Sequence, residues 1–475
     1  MSRTLPYYLA GEWEHSEIVK NNYNPYTGNV LGEICFADTD AAERAIKAAT
    51  KIFEWLPQEP ASARSEILRD IAAILKNQAD IIPQVITAET GKPIRFARRE
   101  VARTIEIFEL YSEQTVHTTT VSTLEPSRFS AGAGKIAFTR RVPVGPVLAI
   151  TPFVFPFNFP AKKIAGALAC GCPVILKPSP YAPQSALLLA KLLDEADLPE
   201  GLLSVLPASD EVTQFMVRHN GIKAINFTGS SEAGWFIRSI AGNKKVLLNL
   251  GNSSANIVHK DVRNIKRIAE RMAAGAFAAS GQLCLSVQRI YVHKDIFAKF
   301  MNEFVAVANR IKVSDPAEET TLLGCVINEA HAVRISDMLK EAVQNGAQII
   351  LGGKSWNTNF EPTIVINVEH NSSLIQQEVF GPVVVVVQYD DFSMMLNAVN
   401  GTKFGLQAAL FTQDINLIMQ AFEALDVGSL VVNDYSALRI DHLPFGGMKA
   451  SGFGREGLNE IIDFLTEKKT LIISK

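Results

Sequence analysis

Apolar positions along this chain recur with two periods that take turns, and their alternation sets the expected architecture. Behind Asp40 and Glu43, which stand at capping-box spacing, Ala45, Ile46, Ala49 and Ile52 fall at helical intervals. Two more helical stretches follow at 61–78 and 95–114. The stretch 115–134 then turns to threonine, serine and glycine and loses the helical period, after which 135–139 alternates as a strand does. From residue 147 the two periods interleave, with strands expected at 147–151, 174–177, 203–206, 224–227 and 246–250 and helices at 161–169, 182–195, 210–219 and 231–241. Beyond Gly251 the pattern resumes, with helices at 262–278, 295–312 and 330–345 and strands at 289–292, 348–351, 383–388 and 429–432. Such alternation predicts two α/β units, each a parallel sheet covered by helices on both faces. Ligands of open parallel sheets sit beyond the C-terminal strand ends, where Thr151, Lys177, Thr228 and Leu250 fall.

A length of 475 residues exceeds one hydrophobic core and suggests two or three domains at about 150 residues each, and 47% hydrophobic residues can fill them. A net charge of −3, with lysines and arginines scattered among acids, offers no field for nucleic acid and points to small-molecule partners. Five cysteines, Cys35, Cys170, Cys172, Cys284 and Cys325, are too few and odd in number for a disulfide framework, which indicates a reducing compartment. Cys170-Gly171-Cys172 lacks a second ligand pair, so no metal is expected. The N-terminal residues carry no apolar signal region, and the apolar runs fall short of the ~18 residues a membrane span requires. A cytoplasmic protein without membrane partners is therefore expected.

Candidate chemistry centres on Ala278-Ala279-Ser280-Gly281-Gln282-Leu283-Cys284, where small residues and a glycine would let the Cys284 thiol approach a carbonyl. A lone cysteine is by itself more often a small buried hydrophobe. The common dinucleotide fingerprint G-x-G-x-x-G is absent. In its place Phe227-Thr228-Gly229-Ser230 ends a strand and opens a helix whose free N–H groups suit a pyrophosphate.

These stretches stand in series with Leu176-Lys177-Pro178, Glu378-Val379-Phe380-Gly381-Pro382 and Pro444-Phe445-Gly446-Gly447. The series resembles the aldehyde dehydrogenase superfamily from Asn24-Pro25-Tyr26-Thr27-Gly28 almost to the C-terminus. Residues 281–289 and 433–447 are similar to the branch of lactaldehyde, phosphonoacetaldehyde and sulfoacetaldehyde dehydrogenases. The resemblance implies an α/β, aldehyde dehydrogenase-like fold with two parallel-sheet domains: a Rossmann-like cofactor domain over 1–120 and 142–250 and a catalytic domain over 251–450. It also implies a small β oligomerisation arm with a C-terminal strand, over 121–141 and 451–475, where Thr470 to Ser474 pairs with the arm of a neighbouring subunit in a homodimer or homotetramer. Cys284 becomes the nucleophile that carries a thiohemiacetal and then a thioester of a small aldehyde. The cofactor is NAD or NADP, held by Ile150, Thr151, Pro152, Phe153, Lys177, Ser179, Pro180, Phe227, Gly229, Ser230, Leu250, Gly251, Glu378 and Phe380.

Three positions depart from the family pattern. The glutamate that activates the hydrolytic water is replaced by Asn249, whose amide has no proton acceptor near neutral pH. The CoA-acylating semialdehyde dehydrogenases of the superfamily also carry asparagine there, and Glu456 is the substitute base the resemblance offers. The oxyanion asparagine of Pro-Phe-Asn-Phe-Pro falls on Val154 by its spacing to Lys177, while an intact copy of the motif stands four residues later at Asn158. Pro180 stands where many NAD-preferring relatives place a glutamate that repels a 2′-phosphate, so NADP should be tolerated or preferred. Arg439 and His442 are candidates to meet an anionic substrate group. The sequence thus reads first as an aldehyde dehydrogenase with weakened deacylation, and otherwise as a CoA-acylating enzyme or a degenerate nucleotide-binding scaffold.

Overall fold

The computed structural model describes residues 4–116, 118 and 121–474. Two large sheets organise it. The first has eight strands in the order Gly452–Phe453, Lys245–Asn249, Ala224–Thr228, Val147–Ile150, Val174–Lys177, Leu203–Val205, Tyr7–Leu9 and Glu12–Glu14. Its five central strands are parallel and its edge pairings antiparallel. The runs Val147–Ile150 and Val174–Lys177 are buried at every position, as expected of strands covered on both faces. Helices Thr39–Phe53 and Asp210–Arg218 cover one face, and Ala61–Asn77, Ile94–Thr115, Asn158–Cys170 and Pro183–Asp194 the other.

The second sheet runs Gln348–Leu351, Thr363–Ile366, Val383–Tyr389, Arg289–His293, Ala255–Val258, Gln407–Phe411 and Ser429–Val432. Three of its strands, Ala255–Val258, Thr363–Ile366 and Gln407–Phe411, were not expected from the sequence, nor were Tyr7–Leu9 and Glu12–Glu14 in the first sheet. The first helix is capped by Asp38, whose carboxylate accepts the Ala41 N–H at 2.8 Å, and not by Asp40, which lies in the first turn and accepts from Arg44.

Thr466–Ser474 pairs antiparallel with Lys135–Pro143 of its own chain through nine residue pairs and stands at the edge of that sheet. Helix Leu458–Leu465 ends where Leu465 O accepts the Val144 N–H, which delivers the C-terminal strand directly alongside that segment. With Ser122–Leu124 it forms a three-stranded sheet that leaves Leu471, Ile472, Ile473, Ile136 and Leu124 exposed. Within the 115–134 stretch, His117, Thr119 and Thr120 lie outside the described residues. No helix among the described residues is long and apolar enough to cross a membrane.

One buried ion pair fixes how the chain enters the active-site half of the first sheet. Glu100 pairs with Lys92 through one carboxylate oxygen, and its other oxygen accepts the N–H groups of Phe157 and Asn158 at 3.0 Å each. The positive end of helix Asn158–Cys170 is thereby neutralised inside the protein. Removing one partner of such a pair strands the other's charge. Glu100→Ala is expected to lower the unfolding free energy by about 3–5 kcal/mol, read as a shift of the denaturant midpoint. A loss below about 1 kcal/mol, the range of exposed pairs, would show that the pair does not hold this junction.

Candidate active site

A cleft of about 460 Å³ opens at the C-terminal strand ends of the first sheet and reaches across to the second, a volume suited to a cofactor or small substrate. Its walls include Pro152, Phe153 and Val154, then Gly229 and Ser230, then Asn249, Leu250 and Gly251, with Cys284, Glu378 and Phe380 facing them.

The loop that carries Cys284 is tightly coiled. After helix Ile265–Phe277, the residues Ala279, Ser280 and Gly281 all take left-handed backbone angles, with φ of 49°, 59° and 65°. For Ala279 and Ser280 that conformation costs of order 1–3 kcal/mol each and persists only where the surroundings dictate it. They do: a Cβ on Gly281 would collide with the carbonyl of Gly381, so the loop lies pressed onto the turn that carries Glu378. Gln282 fastens the far side by accepting the Ile327 N–H at 2.9 Å. Cys284 is the one partly exposed cysteine of the five. Burial and then the Glu378 carboxylate push its thiol up to about 12, against the pull of Arg439.

The expected cofactor residues sit along the same strand ends. Ser230 caps helix Ser231–Ile240 by accepting the Ala233 N–H, and Gly229 donates its N–H to Asn249 O at 3.1 Å. Ile150 and Phe227 are core residues of their strands, while Thr151 and Thr228 each keep a buried hydroxyl without a partner. Lys177 is buried, which lowers its pKa, and its ammonium makes no hydrogen bond among the described residues. Ser179 accepts the Tyr181 N–H, and Pro180 is exposed beside it. The ring of Phe153 meets those of Tyr181 and Phe380 edge-on at 6.0 and 5.9 Å, bridging the two halves of the cleft. Glu378 accepts the Asn252 N–H at 3.0 Å and is pushed up to about 7 by burial, and a Cβ on Gly251 would strike its carboxylate. The Thr228 hydroxyl, the helix N-terminus at Ser230 and the Glu378 carboxylate in the cleft, with the Lys177 ammonium at the end of a neighbouring strand, fit a nicotinamide dinucleotide, which when bound would supply the hydride acceptor.

Two residues that no motif flagged support this turn. His331 bonds Phe380 O through Nε2 at 2.7 Å and is brought down to about 4 by burial, and Arg334 donates to Glu378 O at 3.3 Å and to Val379 O. Both project from helix Glu329–Gln344, and their one sequence signal is a polar pair at i, i+3 on a helix whose neighbouring positions Ala332 and Ile335 are buried. Lys403 and Phe404 also line the cleft, Phe404 from the two-stranded pair Phe404–Gly405 with Met448–Lys449, and were likewise silent in the sequence.

Two of the departures, Val154 and Asn249, and the substitute base Glu456 occupy distinct places. Val154 lines the cleft with Cys284, whereas Asn158 is buried outside it, donating from Nδ2 to Thr104 Oγ1 at 3.1 Å. Asn249 lines the cleft and is buried, with neither side-chain atom bonded. Glu456 stands away from the cleft walls in a charge cluster: Arg439 at 2.9 Å, Lys162 at 3.4 Å and Lys163 at 3.7 Å. Burial opposes its ionisation, but these three cations outweigh it and hold Glu456 far below the usual carboxylate range, which leaves it a poor base. Asp441 joins the cluster through Arg439, Lys162 and Arg103 at 3.1, 3.3 and 2.7 Å. Arg439 lies 3.8 Å over the Phe445 ring, in the apolar cluster against which Cys284 packs, while His442 is exposed.

Because the thiol is raised, the thiolate fraction of the free protein should climb about tenfold per pH unit across the neutral range. Iodoacetamide labelling of Cys284, followed by mass spectrometry, should show that slope from pH 7 to 10. Glu378→Gln, which removes the opposing carboxylate, should shift the curve to lower pH. A rate already level at pH 8 would contradict the raised thiol.

The aldehyde dehydrogenase family model matches residues 13–471. The chain is 38% identical to the 3-sulfolactaldehyde dehydrogenase of Priestia megaterium, over 98% of this chain and 97% of that one. Among solved structures it superposes on aldehyde dehydrogenase 21 of Physcomitrella patens in complex with the reaction product succinate, with a TM-score of 0.96 and 35% identity over 100% of this chain and 99% of the other. The NADP complex of glyceraldehyde-3-phosphate dehydrogenase from Methanocaldococcus jannaschii matches with a TM-score of 0.92 and 35% identity, over 97% and 100% of the two chains. A motif series read end to end, a cysteine loop facing a cofactor groove, and these likenesses agree: the chain belongs to the aldehyde dehydrogenase family.

Proposed function

We propose that the protein uses NAD or NADP to oxidise a small anionic aldehyde, with Cys284 carrying the acyl group and the resulting thioester discharged slowly. The observation that carries this reading is one cleft holding Cys284, Glu378 and the strand-end groove together. In this assignment residues 1–120 and 142–250 bind the cofactor, 251–450 bear the nucleophile, and 121–141 with 451–475 form the assembly arm. Ile150 to Phe153, Lys177, Ser179, Pro180, Phe227, Gly229, Ser230, Leu250, Gly251, Glu378 and Phe380 are the cofactor contacts. An anionic tail on the substrate is supported by Arg439, which lies over the Phe445 ring in the apolar cluster against which Cys284 packs. It is supported too by relatives named for sulfolactaldehyde and for glyceraldehyde 3-phosphate and by the succinate complex. Five unpaired cysteines support a reducing, cytoplasmic setting.

Slow discharge follows from Asn249 and from the ion-paired state of Glu456. A general base contributes about 10²–10⁴ in rate, and neither group supplies one. Mixing enzyme, cofactor and an anionic aldehyde should give a burst of reduced cofactor approaching one equivalent per site, then slow turnover. The double change Val154→Asn, Asn249→Glu should restore steady turnover. Acceleration of the slow phase by coenzyme A would identify a thiol as the acyl acceptor. No reduced cofactor across anionic and neutral aldehydes would refute the enzyme reading and leave a nucleotide-binding scaffold.

Cofactor choice rests on Pro180, which provides no carboxylate against a 2′-phosphate, and on the unpartnered Lys177 ammonium. The ratio of kcat/KM should favour NADP or be near unity, and an NAD preference above about a hundredfold, ~2.7 kcal/mol, would overturn it. The exposed apolar strands of the arm sheet, with Leu471 58% and Ile472 61% exposed, support a dimer or tetramer. Light scattering at micromolar concentration should therefore return at least a dimer, and a monomer would refute it.

A further inference from the structure

Asn249 ends the strand Lys245–Asn249, where its backbone is fixed from both sides: Thr228 pairs with it on one flank and Gly452 on the other. Its side chain is thereby confined to one face of the sheet. The residue is 2% exposed and lines the same cleft as Cys284, yet neither Oδ1 nor Nδ2 finds a partner. An amide left unsatisfied in a buried site costs about 1–3 kcal/mol. Within the same cleft Val154 offers no donor at all, and the amide of Asn158 is committed to Thr104 outside it. The cleft thus holds a nucleophile, an apolar side chain where the family places a hydrogen-bond donor, and an unused buried donor elsewhere on its wall.

We propose that Asn249 Nδ2 donates the side-chain hydrogen bond to the carbonyl oxygen of the acyl group that reacts with Cys284. The position that lacks a base thereby supplies the oxyanion donor that Val154 does not. In the step it serves, Cys284 Sγ bonds to the carbonyl carbon, the π pair moves onto oxygen as the negative charge Asn249 stabilises, and the thiol proton passes to water. When that pair re-forms the carbonyl, the leaving group departs with its bonding electrons. An amide suits the task because it donates without titrating, so its contribution is the same across the pH range in which the raised thiol ionises. This assignment shares with the proposed function only the placement of an acyl group on Cys284.

An activated ester tests the donor without cofactor or aldehyde. With p-nitrophenyl acetate, Cys284 is acylated and p-nitrophenolate leaves, so the burst rate constant reads stabilisation of the oxyanion. Asn249→Ala and Asn249→Asp, the second of which keeps the side-chain volume but not the N–H groups, should each slow the burst by about 10²–10³-fold. Cofactor binding, followed by fluorescence titration, should stay unchanged in both. Adding Val154→Asn to Asn249→Ala should recover at least about tenfold of the loss by restoring a donor within the cleft. A burst unchanged in both Asn249 variants, a loss that Val154→Asn does not recover, or no burst from the wild-type protein would overturn the assignment. If the wild type acylates and the variants behave as expected while no aldehyde reduces the cofactor, the donor assignment stands and the dehydrogenase reading fails.

Discussion

Backbone from three distant parts of the chain meets around Glu378, and the reactive groups are held by that meeting. Gly251 leaves the first sheet so close to the Glu378 carboxylate that no side chain fits between them, and Gly281 in the cysteine loop lies equally close to Gly381 just beyond it. The left-handed run Ala279, Ser280, Gly281 is the consequence. Only a loop coiled this tightly can pass over the turn and still present Cys284 to the cleft. The strain is offset by the packing of helix Glu329–Gln344, whose His331 and Arg334 bond the carbonyls of the same turn. Nucleophile and cofactor-side carboxylate are thus positioned by one junction, and disturbing either should disturb both.

Electrostatics then divides the site into two regions of different character. On the cofactor side, burial keeps Glu378 near neutrality, so its charge beside Cys284 depends on pH. On the other side, Arg103, Lys162, Lys163 and Arg439 surround Asp441 and Glu456 with an excess of positive charge. Lys163, brought down to about 8 by burial, donates to Asn226 Oδ1 at 2.5 Å and ties this cluster to the first sheet. An acid so thoroughly paired as Glu456 stabilises structure and field but has little tendency to accept a proton.

In the proposed reading Val154 and Asn249 are best understood together, the first lacking a side-chain donor and the second standing as a donor in place of a base. Formation of a covalent acyl group asks for a donor, whereas its hydrolysis asks for a base as well. On that proposal the site would favour the first half of the chemistry.

Much of this was legible in the sequence, because long-range order here rests on local regularities. The βα alternation placed the parallel strands of the first sheet to within a residue or two, since strands buried on both faces are mostly apolar runs, as Val147–Ile150 and Val174–Leu176 are. Motif identity singled out Cys284, Lys177, Gly229 and Glu378, whose chemistry depends on residue type. What the sequence left open depended on direction and on partners. Val154 and Asn158 differ by four residues, one helical turn, and only the start of helix Asn158–Cys170 against Glu100 and Thr104 determines that the valine faces the cleft while the asparagine is spent in the core. Glu456 reads in one dimension as a candidate base, and three cations drawn from helix Asn158–Cys170 and from Arg439 make it a buried ion-pair partner. Likewise the C-terminal strand carries a β pattern that suits any edge, and the reversal through helix Leu458–Leu465 lays one side of it along Lys135–Pro143. Side-chain type and period are written locally, but which groups face each other is decided when separate segments compete for the same volume.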